Sequence, residues 1–286
     1  MSVLVFGSTG QVAREIRARA DVTALAREDV DLAQPEACAE AIRRHRPSSV
    51  INAAAYTAVD KAEDEEALAM QINAEAPAVM ARACAELQIP MVHISTDYVF
   101  NGMGDRPFAP GDTTDPISVY GRSKLRGEES VRAAGCPYAI LRTSWVFSSR
   151  GRNFVKTMLA LGAKRDHVSI VGDQIGGPTP AGAIATACLF IASQLESDPR
   201  KSGIYHMSGK PNVSWADFAE EVFAAADIAC DISKIPTSNY PTPAARPLNS
   251  RLDCSSTLET FGIERPDWRS DLRDILTQIT DKKDLD

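Results

Sequence analysis

Nothing in the chain approaches the run of about 20 apolar residues that crosses a bilayer as a helix. The basic segment and apolar stretch of a secretory leader are also missing. The first strand-like run starts at residue 2, which leaves no room for a removable leader and points to the cytoplasm. Positive charge is in deficit: 31 Lys and Arg face 38 Asp and Glu, for a net charge of −7. That balance repels a phosphate backbone and argues against nucleic acid as a partner. C-x-x-C spacing does not occur. Cys38, Cys84, Cys136, Cys188, Cys230 and Cys254 are scattered, as are His45, His93, His167 and His206. Reduced thiols and core or surface imidazoles are expected, with no disulfide frame and no metal site. No repeat divides the 286 residues, which suffice for one large α/β domain with an appended lobe. At 44% hydrophobic and 24% charged, the composition is ordinary for a soluble enzyme.

What is present begins at once. Residues 2–6 form a continuous apolar run, as in a strand buried on both faces. Gly7-Ser8-Thr9-Gly10-Gln11-Val12-Ala13 follows, and an alanine-rich helical pattern starts at Arg14. In this strand–turn–helix, Gly7 supplies the tight turn and Gly10 lets the backbone approach a pyrophosphate. Small Ala13 lets helix and strand pack closely. The helix N-terminus then offers amides and a positive dipole end to the phosphates. The second strand, residues 22–25, is followed by Ala26-Arg27 instead of an acid. An acid there would grip the ribose 2′-OH and repel a 2′-phosphate. Arg27 therefore leaves room for NADPH, although a solvated surface charge is an equal reading. Asp31 and Leu32 stand where a polar and an apolar contact to the adenine would be useful. The cofactor is NADPH or NADH, leaning to NADPH.

The first half alternates strand and helix. Residues 49–52 form a strand ending in Ala53, Ala54, Ala55, Tyr56 and Thr57, small residues first, which let backbone lie against a flat ligand. A long helix is expected over 63–87, a strand over 91–95, and a Gly/Pro/Asp-rich loop covering the site over 101–116. A helix over 118–134 and a strand over 138–142 follow. Beyond residue 148 the pattern loosens, with helices expected at 153–161, 180–195, 215–226 and 271–279 and a short strand at 168–171. The fold class is α/β, a Rossmann-type doubly wound parallel sheet with a smaller C-terminal α/β substrate lobe. The expected division is a dinucleotide-binding domain at 1–147, with 166–207 returning to it. The substrate lobe takes 148–165 and 208–286.

Tyr120 and Lys124 are four apart, so on the helix over 118–134 they share a face. A cation beside a phenol favours phenolate and pulls its pKa down from about 10. Thr96 ends the strand before this helix, and its hydroxyl can hold a carbonyl oxygen beside the tyrosine. Tyr120 can then protonate the alkoxide formed as hydride arrives from a nicotinamide. Lys124 can also hydrogen-bond the cofactor ribose.

The combination of G-x-x-G-x-x-A, N-A-A-A, S-T-D-Y-V-F and Y-G-x-S-K resembles the extended short-chain dehydrogenase/reductases. Within them the chain is similar to the family of dTDP-4-dehydrorhamnose reductases, over nearly its whole length. Residues 58–63, 142–146, 153–159, 173–179 and 241–252 extend the likeness. It implies that Thr96, Tyr120 and Lys124 are catalytic and that Gly10, Gln11 and Val12 contact the pyrophosphate. Asp31 and Leu32 would meet the adenine, and Ala55, Tyr56 and Thr57 would run along the cofactor. Asp97, Tyr98 and Trp145 would surround the sugar, Trp145 having a core role as its alternative. Arg246 and Arg251 would bind the diphosphate, or form structural ion pairs. The implied reaction is reduction of dTDP-4-dehydro-L-rhamnose, the last step of dTDP-L-rhamnose synthesis for cell-surface polysaccharide, by a monomer or homodimer. Some members are dimers bridged by Mg²⁺ through glutamates. Glu15 is present here, but the second carboxylate position is Gly182, which puts magnesium in doubt. Related dehydratases resemble Thr-Asp-Glu at the strand end, where this chain has Thr96-Asp97-Tyr98 and lacks that base. Epimerases share the tyrosine–lysine pair. A non-catalytic subunit, like the relative that modulates methionine adenosyltransferase, would tolerate erosion of the catalytic set, which is intact.

Overall fold

The computed structural model describes residues 2–283. The opening apolar run forms β1 (Val3–Phe6), with all four residues buried. It is followed by α1 (Gln11–Arg19), β2 (Thr23–Leu25), α2 (Pro35–His45) and β3 (Ser49–Asn52). Next come α3 (Val59–Ala62), α4 (Glu66–Met70) and, after a π turn at Gln71–Glu75, α5 (Ala76–Leu87). The first half closes with β4 (Met91–Thr96), α6 (Val119–Ala133) and β5 (Tyr138–Thr143). Shorter elements follow: β6 (Val146–Phe147), α7 (Phe154–Gly162), β7 (His167–Val171), β8 (Ile175–Gly176) and β9 (Thr179–Pro180). The chain returns through α8 (Ala181–Ser197) and β10 (Gly203–Met207). It ends with β11 (Val213–Ser214), α9 (Trp215–Ala225), β12 (Asp231–Ile235), β13 (Asn249–Ser250), α10 (Ser255–Phe261) and α11 (Trp268–Lys283).

Six strands make a parallel sheet in the order β10-β5-β4-β3-β1-β2. Ile42, Met80 and Val131 bring α2, α5 and α6 onto one face, while Ile16, Ile184 and Ile191 bring α1 and α8 onto the other. This is the doubly wound arrangement expected from the alternation. Strand order reverses between β1 and β3, and such a switch point opens a crevice at the carboxyl ends of the strands. A separate core of Phe147, Met158, Phe218 and Trp268 holds the second lobe. No helix among the described residues is long and apolar enough to cross a membrane.

Two expectations change. Residues 63–87 are not one helix: the chain breaks between α3 and α4, and the π turn inserts an extra residue before α5. Segment 166–207 divides. Its later part, α8 and β10, joins the main sheet, but β7 pairs in parallel with β12 of the second lobe. That partner lies 64 residues further along the chain, beyond the reach of local pattern.

Candidate active site

At the switch point the ends of β1 and β3 lie side by side, with Phe6 opposite Asn52. Gly7 turns with φ +100°, and a Cβ there would press on the Ala54 methyl at 3.3 Å. Gly10 caps α1 without a side-chain hydrogen bond, so the first amides of α1 are left for an anion. Buried Ala13 allows the close packing expected of it, and half-buried Val12 packs against the core beneath. Gln11 reaches the second lobe, its Oε1 accepting from Ser148 Oγ and Asn153 Nδ2, both at 2.9 Å.

Ala53, Ala54, Ala55 and Tyr56 are half-buried after β3, and Thr57 is exposed. Asn73 holds this segment. Its Oδ1 accepts from Tyr56 N–H at 2.8 Å, and its Nδ2 donates to the Tyr56 carbonyl at 3.0 Å and to Ser123 Oγ at 2.9 Å. It lies in the π turn, a distortion that recurs at functional sites. Sequence reasoning missed it, although a lone amide among Ala69, Ala76 and Met80, its neighbours on an apolar helix face, is a readable signal.

Thr96 ends β4 and caps a short 3₁₀ turn, Asp97–Val99, with its Oγ1 accepting from Tyr98 N–H at 3.2 Å. Ser118 caps α6, its hydroxyl accepting from Gly121 N–H at 3.2 Å. Two glycines bring α6 close. A Cβ on Gly121 would lie 2.2 Å from the Tyr98 carbonyl oxygen, and one on Gly127 2.1 Å from that of Asn73. The Tyr98 and Tyr120 rings meet edge to face at 5.5 Å. Ser123 Oγ donates to the Tyr120 carbonyl at 2.8 Å.

Lys124 is 2% exposed, with Nζ donating to the Ile94 carbonyl at 2.7 Å and lying 3.3 Å from His93 Nε2. Asn52 Nδ2 faces the other ring nitrogen of His93 at 3.1 Å. Burial, and then the Lys124 charge, hold that imidazole well below its usual range, so it is neutral. A turn further on, Glu128 takes Arg142 of β5 at 2.6 Å, the two side chains 1% and 2% exposed. Ser95 Oγ donates to Glu128 at 2.5 Å, which fastens α6 to β4 and β5.

The expected lowering of the Tyr120 pKa is reversed. Burial pushes the phenol up to about 12, with Thr96 drawing it back and Asp97 adding to the rise. The Lys124 amine is engaged by Ile94 and His93, and burial pushes it down to about 8 against the pull of Glu128. Tyr120 is thus fully protonated at neutrality, the state a proton donor requires. Asp97 is 3% exposed, and burial pushes its carboxyl up to about 6.

The remaining expected residues are spread around this centre. Arg27 stands exposed at the end of β2, pairing loosely with Asp31 at 3.5 Å. Leu32 is 8% exposed and packs in the core with Leu25 and Val30, which leaves little of it for a ring face. Trp145, at φ +51°, stacks on Trp215 with centroids 3.6 Å apart, and a Cβ on Gly176 would sit 2.8 Å from its indole. Arg246 grips Asp60 through two bonds of 3.0 and 2.9 Å, and Arg251 donates to Asn249 Oδ1 at 2.9 Å. Glu15 pairs with Arg19, and a Cβ on Gly182 would lie 2.5 Å from that guanidinium. The loop at 101–116 packs on the second lobe, Phe108 N–H donating to the Arg251 carbonyl at 2.9 Å.

A hydroxyl at a central strand end, faced by Tyr-x-x-x-Lys on the neighbouring helix of a doubly wound sheet, defines an extended short-chain dehydrogenase/reductase. Comparison with known proteins narrows the class. The family model described as RmlD substrate binding domain matches residues 1–281, and the chain belongs to that family. It is 43% identical over 283 residues to the dTDP-4-dehydrorhamnose reductase of Sinorhizobium fredii, covering 96% of each chain. A crystal structure of a dTDP-4-dehydrorhamnose reductase from Clostridium acetobutylicum superposes with TM-score 0.90 at 35% identity, covering 98% of this chain and 100% of that one. The dTDP-4-dehydrorhamnose reductase of Bacillus anthracis, solved in complex with NADP, gives TM-score 0.89 at 31% identity, covering 97% and 99%.

Proposed function

We propose that the chain reduces dTDP-4-dehydro-L-rhamnose to dTDP-L-rhamnose, the last step in making that sugar nucleotide. The observation that carries this reading is a half-buried, protonated Tyr120 packed beside the Thr96 hydroxyl, in a chain whose full-length relatives are named for this reaction. A dinucleotide fits the residues present. The uncapped amides of α1, with Gly7 and Gly10, would hold its pyrophosphate, and segment 53–57 would flank its ribose and nicotinamide. Exposed Arg27, held only loosely by Asp31, suits the 2′-phosphate of NADPH, the cofactor type seen in the Bacillus anthracis relative. The reduced nicotinamide, when bound, supplies the hydride to C4. Thr96 holds the O4 carbonyl oxygen, Tyr120 gives it a proton, and Lys124 anchors the ribose and stabilises the phenolate left behind. Tyr98 offers no carboxylate at the position where a dehydratase needs a base. The first domain with α8 and β10 would bind the cofactor, and the second lobe, with Trp145, would read the sugar nucleotide.

Mixing the protein with dTDP-4-dehydro-L-rhamnose and either NADPH or NADH tests this by loss of nicotinamide absorbance. Oxidation is expected, faster with NADPH. None with either cofactor overturns the reading and favours a non-catalytic role. Tyr120→Phe is expected to lower kcat by about 10²–10⁴, and normal turnover by that variant rules out Tyr120 as donor.

A further inference from the structure

Asp97 is a carboxyl group whose two oxygens are unequally served. Oδ1 accepts from Thr96 Oγ1 at 3.0 Å, whereas Oδ2 is buried with no hydrogen-bond partner among the described residues. The groups that draw its pKa down are the nearby Ser250 hydroxyl, which makes no hydrogen bond to it in this geometry, the Thr96 hydroxyl and its own backbone amide, none of them a cation. Its titratable neighbours are the Tyr98 and Tyr120 phenols, each raised by its charge. Arg246 acts on Tyr98 but is itself held by Asp60. A carboxylate with an unpaired oxygen in a dry site is unfavourable, and the neutral acid is not. The rise of this group to about 6 follows from that.

The Thr96 hydroxyl has one proton and two lone pairs. The Tyr98 amide takes one lone pair at 3.2 Å. While Asp97 is ionised it can only accept, so it takes the Thr96 proton and leaves none for a carbonyl oxygen. Once Asp97 is protonated the bond reverses: the acid donates to the second lone pair and the Thr96 proton is released. We propose that Asp97 is a positioning residue working in its protonated form, donating to Thr96 and so turning the Thr96 hydroxyl onto the substrate's carbonyl oxygen. This rests on the reading of Thr96 and Tyr120 as a keto-reducing site. Asp97 keeps its proton throughout; the proton reaching O4 is that of Tyr120.

The pH dependence of kcat tests it, for the wild type and Asp97→Asn with NADPH and the keto-sugar nucleotide. Wild-type kcat is expected to fall about tenfold per pH unit above the Asp97 pKa. The side-chain amide of the variant donates at every pH, so the fall disappears and the variant outpaces the wild type about fivefold or more at pH 8. A flat wild-type profile between about pH 5 and 8 overturns the proposal, as does a variant slowed about 100-fold at every pH while still binding NADPH. Carbon-13 NMR titration of the Asp97 carboxyl in the whole protein decides the same point without turnover. A midpoint well above the ordinary value of about 3.9 is expected, and one at that value overturns the proposal. Absence of wild-type turnover instead sinks the reductase reading, leaving the NMR midpoint to judge Asp97.

Discussion

Lys124 places an amine where the surroundings oppose its charge. Its pKa falls from 10.5 to about 8 on folding, so between those values the unfolded chain binds more protons than the folded one. Stability therefore rises with pH through that window, and below about pH 8 the penalty, about 3 kcal/mol, is fully present. Lys124→Met is expected to unfold at a higher temperature than the wild type at pH 7 while losing turnover. Thermal unfolding followed by circular dichroism checks this, and the difference should shrink toward pH 10. Asn73 works in the opposite sense. Asn73→Ala leaves the Tyr56 amide and carbonyl without their partner, at a cost of about 2–4 kcal/mol. Urea unfolding measures that loss, and a fluorescence titration should show NADPH bound about tenfold more weakly, because segment 53–57 is no longer held.

At the scale of elements, α6 reverses a familiar expectation. Gly→Ala within a helix ordinarily stabilises by about 1 kcal/mol. Gly121→Ala and Gly127→Ala instead drive a methyl into the Tyr98 and Asn73 carbonyl oxygens, at 2.2 and 2.1 Å. Each is expected to destabilise by more than about 2 kcal/mol in denaturant unfolding and to depress kcat, since Tyr120 rides on the same helix. α6 itself was legible, expected over 118–134 and found at Val119–Ala133. The segment 63–87 was not, because one extra residue in a π turn leaves apolar positions on both sides and erases nothing that periodicity detects. Strands β8, β9, β11 and β13 have two residues each, and no alternation can be read from two. The two glycines were visible as letters. What they accommodate was not, since the approaching carbonyls belong to turns elsewhere in the chain.

For the molecule as a whole, the Asp60–Arg246 clasp joins α3 to the second lobe. Its side chains are 41% and 24% exposed, so it contributes little to stability. Asp60→Asn is expected to shift the unfolding free energy by less than about 1 kcal/mol while raising KM for the sugar nucleotide several-fold, with steady-state kinetics as the check. Thr96, Tyr120, Lys124 and the N-terminal fingerprint could be read because each belongs to a short motif. The contacts among Asn52, His93 and Lys124 and the Glu128–Arg142 pair could not, because only the strand order brings these residues together. That last pair carries a consequence for descent. Losing either member strands a buried charge at about 3–5 kcal/mol, a large part of the roughly 5–15 kcal/mol that holds a typical domain together. Neither position can drift alone, so lineages should keep glutamate and arginine together or exchange both for a matched apolar pair.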